Sequence, residues 1–376
     1  MIYLDHAAST PLLNEALKVL SESYANDFAN PSASHRLGKE LAKKLHNSRE
    51  NFKAMLGASS ADQIIFCSSA TEANNLIIKG LGITKEKMLV FTKADHPSLV
   101  FPAQKLSCQS TEFLLERGEI SPQSFSQLFT KEVSLVLLSH VNNHSGNIQD
   151  IEKLSKLIKE FSPKVHIHVD ASQSFTKIPI DLKKWNIDSL ALSAHKMGGP
   201  RGIASLWIKK GVQLSPFWEG GGQEFSLRPS TEALPLILSF EEASKFALKK
   251  REENFQIILD LNLNLKKLLK EKTKGLLFPF ENAPCSPFIL TFIVPGISSD
   301  ILLRLLEEKN IFVSSSSACS SKIKGHSSVF EALRIENQFH KNVLRVSLSP
   351  ASTVSEIEFF VSQLSSLLND LSFLKK

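Results

Sequence analysis

Short runs of apolar and β-branched residues alternate with amphipathic, helix-length segments between about residues 60 and 210. The apolar runs stand at 64–66, 88–92, 133–138, 165–169, 190–193 and 203–208. The segments at 72–79 and 151–161 have helical spacing of their apolar positions. Strands that helices cover on both faces read as continuous apolar runs. The pattern therefore predicts an α/β domain with a mostly parallel sheet.

The pattern changes in the last third of the chain. Residues 232–272 carry apolar positions at three- and four-residue spacing, which predicts a long helical segment that bridges to a second unit. Two further apolar runs and two helical patterns follow, at 288–294, 343–348, 301–308 and 354–374. We therefore predict a large α/β domain and a small α+β domain, formed by residues 14–250 and by residues 1–13 with 251–376.

Composition adds limits to this picture. The chain has 376 residues, 42% hydrophobic and 22% charged, which is typical of a globular protein and not of a disordered one. The formal net charge of +6 is spread over helical segments, and no nucleic-acid module is recognisable, so we do not expect direct nucleic-acid binding. No apolar run has the length of a membrane span.

Cysteine usage points to a reducing compartment. The four cysteines, Cys67, Cys108, Cys285 and Cys319, form no CxxC pair and no metal-like spacing, so we expect neither a disulfide framework nor a metal site. The chain begins with a strand-like apolar run and not with the basic and apolar regions of a signal peptide. We therefore expect a cytoplasmic protein.

A hydroxyl-rich segment, Ser68–Asn75, follows the first predicted strand and includes Ala70 and Thr71. Backbone N–H groups at a helix N-terminus attract anions, and small hydroxyl side chains leave room for one. The segment is therefore a candidate phosphate site, and a plain helix N-cap is the alternative.

Two other strand ends carry an acid and a lysine. Asp170 closes the run at 165–169, and Lys196 follows the run at 190–193 together with Ser193 and His195. Ligands of open α/β sheets bind beyond the carboxyl ends of the strands. A carboxylate there can hold a pyridine nitrogen protonated, and a lysine can form a Schiff base with an aldehyde cofactor. A capping aspartate and a surface lysine are the alternatives.

The order and spacing of these segments resemble a cysteine desulfurase of the class V aminotransferase family over nearly the whole chain. The landmarks are Tyr3–Pro11, Asn30–Ser32, Ala70–Glu72, Asp95–His96, Val141–Asn143, His168–Asp170, Ala194–Lys196 and Gly220–Glu224. The resemblance implies pyridoxal 5'-phosphate as the cofactor. It also implies the type I fold of pyridoxal-phosphate transferases, with a mostly parallel sheet of seven-stranded type and a smaller α+β domain.

The resemblance also implies roles for single residues. Lys196 would hold the cofactor covalently, Asp170 would pair with its pyridine nitrogen, and His96 would stack on its ring and assist proton transfer. Further cofactor contacts are implied at Ala70, Thr71, Asn143, Gln173, Ser193 and His195. Asn143 would touch the substrate as well. Thr231 would complete the phosphate site of a neighbouring subunit, which implies a homodimer.

A cysteine in a serine-rich loop, residues 314–321, decides which reaction is expected. Cys319 stands there with two lysines close behind it, and a thiolate near positive charge attacks sulfur. A buried structural cysteine is the alternative, although a hydroxyl-rich loop is poor core material. The segment resembles the nucleophile loop of the longer-loop desulfurases. That likeness implies that Cys319 receives sulfur as a persulfide and that Arg345 binds the substrate carboxylate.

The implied reaction converts L-cysteine to L-alanine, with the sulfur passing from Cys319 to an acceptor such as an iron–sulfur scaffold or a tRNA-thiolating enzyme. One alternative is a selenocysteine lyase or another class V aminotransferase-like enzyme. A second alternative is a catalytically weak homologue that serves as a binding partner in sulfur trafficking.

The chain departs from the family pattern at several positions. His144 and Ser145 stand where the family has Glu-Ile, and Pro229 and Ser230 stand where it has Ser-Gly before the threonine. The second change restricts the backbone that delivers Thr231. Ser316 replaces a common glycine in the cysteine loop, and we expect it to stiffen that loop.

Overall fold

The computed structural model describes residues 1–121, 125, 128–129, 133–315 and 327–371. The strands are β1 (Ile2–Tyr3), β2 (Gln63–Cys67), β3 (Met88–Phe91), β4 (Gln109–Glu112), β5 (Leu115–Glu116), β6 (Glu119–Ile120), β7 (Val133–Ser139), β8 (His166–Asp170), β9 (Ser189–Ser193), β10 (Ala204–Ile208), β11 (Ile289–Ile293), β12 (Ile311–Phe312), β13 (Ser314–Ser315) and β14 (Val343–Ser347). The helices are α1 (Asn14–Asn26), α2 (Arg36–Leu56), α3 (Ala70–Gly80), α4 (Pro97–Lys105), α5 (Ile151–Phe161), α6 (Leu234–Lys249), α7 (Arg251–Lys272), α8 (Ser299–Glu308), α9 (Ser328–Ala332) and α10 (Val354–Asp370). Short 3-10 turns occupy Ala194–Lys196, Glu224–Ser226 and Asn337–Phe339.

A seven-stranded sheet organises the first two thirds of the chain, in the order β2, β10, β9, β8, β7, β3, β4. Only β10 runs antiparallel to its neighbours in this sheet. The apolar runs found in the sequence between 64 and 208 all form strands of it, so the predicted mostly parallel α/β sheet is confirmed. The edge strand β4 escaped prediction because its residues, Gln109–Glu112, are polar and largely exposed.

Alternation along the strands divides the core between the two faces of the sheet. In β2, Ile64 and Phe66 point to one face and Ile65 and Cys67 to the other. Helices α2, α5 and α6 cover the first face, and α3 and α4 cover the second. Burying a large aliphatic or aromatic side chain contributes about 1.5–3 kcal/mol. The strand ends that carry the site are thus fixed by packing on both faces.

The C-terminal unit has a separate core. An antiparallel sheet in the order β11, β14, β13 packs against α7, α8 and α10, and β1 joins the unit by parallel pairing with β12. The segment predicted to be helical at 232–272 is divided at Lys250 into α6 and α7. We propose the domain division at residue 250, with residues 1–13 in the small domain, and the separate core around Leu4 supports it.

None of the helices in the described part of the chain combines the length and the apolarity that crossing a bilayer requires. Within the same residues, no group of His, Cys, Asp and Glu side chains is arranged to hold a metal ion.

Candidate active site

A cavity of about 350 Å³ lies where the sheet of the large unit meets the C-terminal unit. The carboxyl ends of β7, β8 and β9, the start of α3 and the loop before α4 form one wall. The N-terminal segment, β13 and β14 supply residues to the other wall. The volume lies in the range of small-molecule sites, roughly 300–1,000 Å³.

Most of the site residues predicted from the sequence line this cavity. They are Ala70, Thr71, His96, Asn143, Asp170, Gln173, Ser193, His195, Lys196 and Arg345. Thr231 is exposed and does not line it. Cys319 and Ser316 lie outside the described residues. Side chains that are separated by up to 275 positions in the sequence (70 and 345) are therefore brought to one surface.

The start of α3 forms one end of the cavity. Ser69 has an extended backbone and its side chain accepts a hydrogen bond from the Glu72 N–H at 3.2 Å, so it is the N-cap residue. Ala70 and Thr71 open the first turn, where the helix dipole is positive. The Glu72 carboxylate is turned to Ser68 and Arg228. This end of the cavity therefore suits an anion such as a phosphate.

His195 stands beside this anion-attracting end, with its Nδ1 3.3 Å from the Ser9 hydroxyl. Burial and, to a smaller extent, the positive charges of Lys196, Arg201 and Lys177 together lower the pKa of His195 to about 4. The ring is therefore neutral near pH 7. It can donate a single hydrogen bond to a ligand without adding charge.

Asp170 ends β8 and is buried in the cavity wall. Its Oδ1 accepts from the Ser172 N–H at 2.9 Å, and its Oδ2 accepts from the Asn74 amide at 2.9 Å. These two donors fix the plane of the carboxylate. A carboxylate oxygen can accept a second hydrogen bond, so Asp170 keeps acceptor capacity for an N–H group in the cavity.

The 3-10 turn after β9 carries Lys196 into the cavity. Its Nζ donates to the carbonyl oxygens of Ala7 and Ala8, both at 2.7 Å. The Ala7 carbonyl also accepts from the Gln173 amide at 2.8 Å. Thr10 N–H donates to the His195 carbonyl at 2.9 Å. The N-terminal segment thus crosses the site and orients the lysine.

Arg345, in β14, brings a positive charge to the cavity from the wall opposite Asp170 and Lys196. Its Nη2 pairs with Asp5 Oδ1 at 2.7 Å, and its Nη1 donates to the Asn143 carbonyl at 2.8 Å. Its Nε is buried and has no hydrogen-bond partner in the described part of the chain. The Asp5 carboxylate holds the guanidinium plane, and an incoming carboxylate has to share or replace that contact.

His96 caps α4 from the loop after β3. Its Nδ1 accepts from the Ser98 N–H at 3.1 Å and lies 2.8 Å from the Ser98 hydroxyl. Burial lowers the pKa of His96, the Lys196 charge lowers it further, and the Asp170 charge opposes both. A neutral imidazole with a fixed ring orientation therefore stands in the wall that carries Asp170 and Lys196.

The donor set fits a phosphorylated pyridine aldehyde. One end attracts an anion, a buried carboxylate is available for a ring nitrogen, and an amine is available for an aldehyde. Two buried polar atoms of the lining, Ser172 Oγ and Gln173 Oε1, have no hydrogen-bond partner among the residues that the structure describes. Unpaired buried polar atoms are costly, and a polar ligand would satisfy them.

The segment before Thr231 explains how the Pro229 and Ser230 departures are accommodated. Ser230 has a φ of 93°, in the left-handed region that glycine favours, and its N–H donates to Gln223 Oε1 at 3.2 Å. Arg228 pairs with Glu72 at the start of α3 at 3.1 Å. The serine therefore adopts the backbone expected of a glycine, at a cost in strain.

Sequence reasoning missed four contributors to the site. Asp5 lies within the Tyr3–Pro11 landmark and Asn74 lies within the candidate phosphate segment Ser68–Asn75, so both stood inside a signal without being singled out. Ser172 lies two residues after Asp170, and Ser98 carried no signal in the sequence. Their importance comes from contacts that only the fold creates: Ser98 accepts from the Asn74 amide, which is 24 positions away, and both serines line the cavity.

Comparisons with known proteins agree with this geometry. The family model described as aminotransferase class-V matches residues 2–360. The protein named cysteine desulfurase IscS from Dictyoglomus turgidum is 30% identical over 380 residues, which cover 98% of this chain and 95% of that one.

Two solved structures are similar over most of the chain. A structure titled NIFS-like protein superposes with a TM-score of 0.91 at 27% identity, over 98% of this chain and 100% of the other. A second, titled SspA in complex with cysteine, superposes with a TM-score of 0.81 at 28% identity, over 94% of this chain and 100% of the other. These matches confirm the predicted fold class.

Proposed function

The chain belongs to the class V aminotransferase family, and from this premise we propose that it is a pyridoxal-phosphate-dependent cysteine desulfurase that converts L-cysteine to L-alanine. One observation carries the proposal: Lys196, Asp170 and Arg345 line one cavity, so an amine, a carboxylate and a guanidinium face the same space. The 30%-identical relative that is named a cysteine desulfurase supports the choice of reaction.

The wall formed by the ends of β7, β8 and β9, the start of α3 and the loop before α4, here called the sheet wall, would hold the cofactor. Lys196 would bind it covalently through its ε-amine, and Asp170 would hold a proton at the ring nitrogen. Ala70, Thr71, Ser193 and His195 would hold the phosphate near the start of α3, and Gln173 and Asn143 would contact the ring's surroundings. When bound, pyridoxal phosphate supplies an electron sink that acidifies the substrate α-proton and makes the β-carbon–sulfur bond breakable.

Two side chains would move protons. The Lys196 amine would take the substrate α-proton and return it, since it lines the cavity that the substrate would enter. His96 lines the same cavity and would hydrogen-bond to the reacting groups. The carbonyl groups of Ala7 and Ala8 orient the lysine amine between these steps.

Arg345 would bind the substrate carboxylate. The side-chain fork of a guanidinium matches the geometry of a carboxylate and gives charge-assisted hydrogen bonds. Asn143 also contacts the substrate, and its carbonyl already holds Arg345. The resemblance to a structure titled as a complex with cysteine supports a cysteine-sized ligand in this cavity.

Cys319 would receive the sulfur. Its thiolate attacks the substrate sulfur, the carbon–sulfur bond breaks, and the electron pair returns to the β-carbon, which takes a proton. Cysteine and one enzyme thiol thus become alanine and one enzyme persulfide. The persulfide sulfur then passes to an acceptor, either an iron–sulfur scaffold or a tRNA-thiolating enzyme. The sparse cysteines favour a reducing cytoplasm as the setting.

We also propose that the protein acts as a homodimer in which Thr231 completes the phosphate site of the partner. Thr231 is exposed and does not line the cavity of its own chain. Exposed aromatic residues on the same segment, Phe217, Trp218 and Phe225, support an interface there.

The proposal is tested with purified protein, L-cysteine and intact-mass measurement. We expect alanine in solution and one added sulfur atom on the protein. Cys319→Ser should keep the bound cofactor but form no persulfide, whereas Cys108→Ser should behave as wild type because Cys108 does not line the cavity. Alanine formation at the wild-type rate by Cys319→Ser would show that another group receives the sulfur.

The same assay separates the alternatives. A selenocysteine lyase would release selenide from selenocysteine and little sulfur from cysteine, and a catalytically weak binding partner would bind the cofactor but yield no alanine. The names of the relatives favour the desulfurase over both.

A further inference from the structure

A chain of hydrogen bonds joins Asp170 to His96 through two residues that the proposed mechanism does not use. The Asn74 amide nitrogen donates to Asp170 Oδ2 and to Ser98 Oγ, both at 2.9 Å. The Ser98 hydroxyl lies 2.8 Å from His96 Nδ1. Asn74 and Ser98 are buried, so water does not compete for these bonds.

The Asp170 carboxylate sets the direction of this chain. It accepts hydrogen bonds only, so the Asn74 amide must turn its nitrogen toward it. The same nitrogen then donates to Ser98 Oγ, and the Ser98 proton is left for His96 Nδ1. The Ser98 backbone N–H points to the same Nδ1 at 3.1 Å. His96 Nδ1 is therefore an acceptor, and the ring proton belongs on Nε2.

Three buried residues fix the amide of Asn74 from the other side. His168 Nε2 lies 2.9 Å from Asn74 Oδ1, and His168 Nδ1 lies 2.8 Å from Ser189 Oγ. Ser189 Oγ lies 2.7 Å from His166 Nε2. If Asn74 Oδ1 accepts, His168 carries its proton on Nε2 and its Nδ1 accepts from the Ser189 hydroxyl. The Ser189 oxygen then accepts from His166, which carries its proton on Nε2. Every member of the chain then has a partner, which a reversed amide would not allow.

We propose that Ser98 and Asn74 are positioning residues that couple Asp170 to His96 and keep the His96 ring neutral, with its proton on Nε2. The inference rests on the proposed function for its meaning in the reaction. A proton added to His96 must enter at Nδ1, where two donors already point. His96 therefore acts as a hydrogen-bond donor through Nε2, and protonated imidazolium is disfavoured.

The charges that face His96 do not produce this state alone. Asp170 favours the protonated ring and Lys196 disfavours it, so their effects oppose each other. Burial also favours the neutral ring. Neither effect selects between the two nitrogens, whereas the donors at Nδ1 do.

The test is nuclear magnetic resonance of the full-length protein with bound cofactor, labelled with 15N-histidine. His96→Gln assigns the signal by its loss. We expect the wild-type ring to carry its proton on Nε2 throughout pH 6–8. Ser98→Ala removes one donor to the neutral ring and should raise the pKa of His96 by about one pH unit. Ser98→Thr, which keeps the hydroxyl, should restore the wild-type value.

Asn74→Ala should shift the pKa of His96 in the same direction although Asn74 does not contact that ring, and the double variant should add less than the sum. Ser239→Ala is the matched control, because it removes another buried hydroxyl, which donates to the Ala16 carbonyl at 2.8 Å, and should change nothing at His96.

A wild-type ring protonated on Nδ1, or an unchanged pKa of His96 in Ser98→Ala, would overturn the inference. The wild-type measurement decides it even if a variant does not fold. The readout needs no turnover, so a protein that forms no alanine would disprove the proposed function and leave this result standing.

Discussion

The two walls of the cavity hold their charged groups in different ways. On the sheet wall, Asp170 and Lys196 stand at or just after the ends of strands that are packed on both faces. Both are held by uncharged groups: N–H donors of Asn74 and Ser172 on Asp170, and the carbonyls of Ala7 and Ala8, from the N-terminal segment, on Lys196. On the opposite wall, Arg345 is held by the Asp5 carboxylate at 2.7 Å. The first arrangement suits a group that stays bound, and the second suits a carboxylate that comes and goes, because an anion can exchange with an anion.

The comparison predicts its largest effect at Lys196. Lys196→Ala should lose the covalently bound cofactor and reduce alanine formation by about 10³-fold or more, because one amine supplies both attachment and proton transfer. The absorption band of the bound cofactor after dialysis, together with an alanine assay, measures both. A band that survives in the variant would mean that another lysine carries the cofactor and that the sheet wall does not bind it covalently.

An intermediate effect is expected on the opposite wall. Arg345→Lys keeps the charge but loses the fork, so kcat/KM for cysteine should fall about 10- to 100-fold, mainly through KM. The cofactor absorption should not change.

The matched control for Arg345→Lys is Arg49→Lys. Arg49 is buried and pairs with Glu224 at 2.8 Å, away from the cavity. This control should lower the free energy of unfolding without raising KM. Loss of the cofactor band in Arg345→Lys would contradict the division in which the sheet wall binds the cofactor and the opposite wall binds the substrate carboxylate.

The smallest effect concerns pH and the histidines behind the sheet wall. Burial lowers the pKa of His166 to about 4 from an unfolded value near 6.5. Between these values the unfolded chain binds the extra proton, so the histidine's contribution to stability is present above pH 6.5 and is lost as the pH falls toward 4.

His166→Asn should therefore reduce the slope of unfolding free energy against pH in this window by up to about 1.4 kcal/mol per pH unit. Denaturant unfolding at several pH values measures it. Burial raises the pKa of Asp95 to about 7, so Asp95 makes stability fall as the pH rises through this window. This effect is the same in wild type and variant and cancels when the two slopes are subtracted. Equal slopes would show that His166 is not held neutral.

Apolar runs and landmarks revealed the sheet and much of the site because each is a local property of the chain. The run at 165–169 predicted a buried strand, and Asp170, the polar residue directly after that run, lines the cavity. The polar edge strand β4 gave no such signal, since an edge strand does not need an apolar sequence. The helix break at Lys250 was also missed, although the domain boundary was predicted there, because apolar positions at helical spacing occur on both sides of it.

The sequence alone predicted which residues would carry the chemistry: an amine at Lys196, an acid at Asp170, a guanidinium at Arg345 and a thiol at Cys319, each set in a recognisable segment. Only the tertiary structure decided what the first three contact. The Asp5 pairing of Arg345, the Ala7 and Ala8 carbonyls on Lys196, and the chain from Asp170 to His96 join segments that are distant in sequence. Hydrogen-bond direction depends on such neighbours, and no local pattern encodes them.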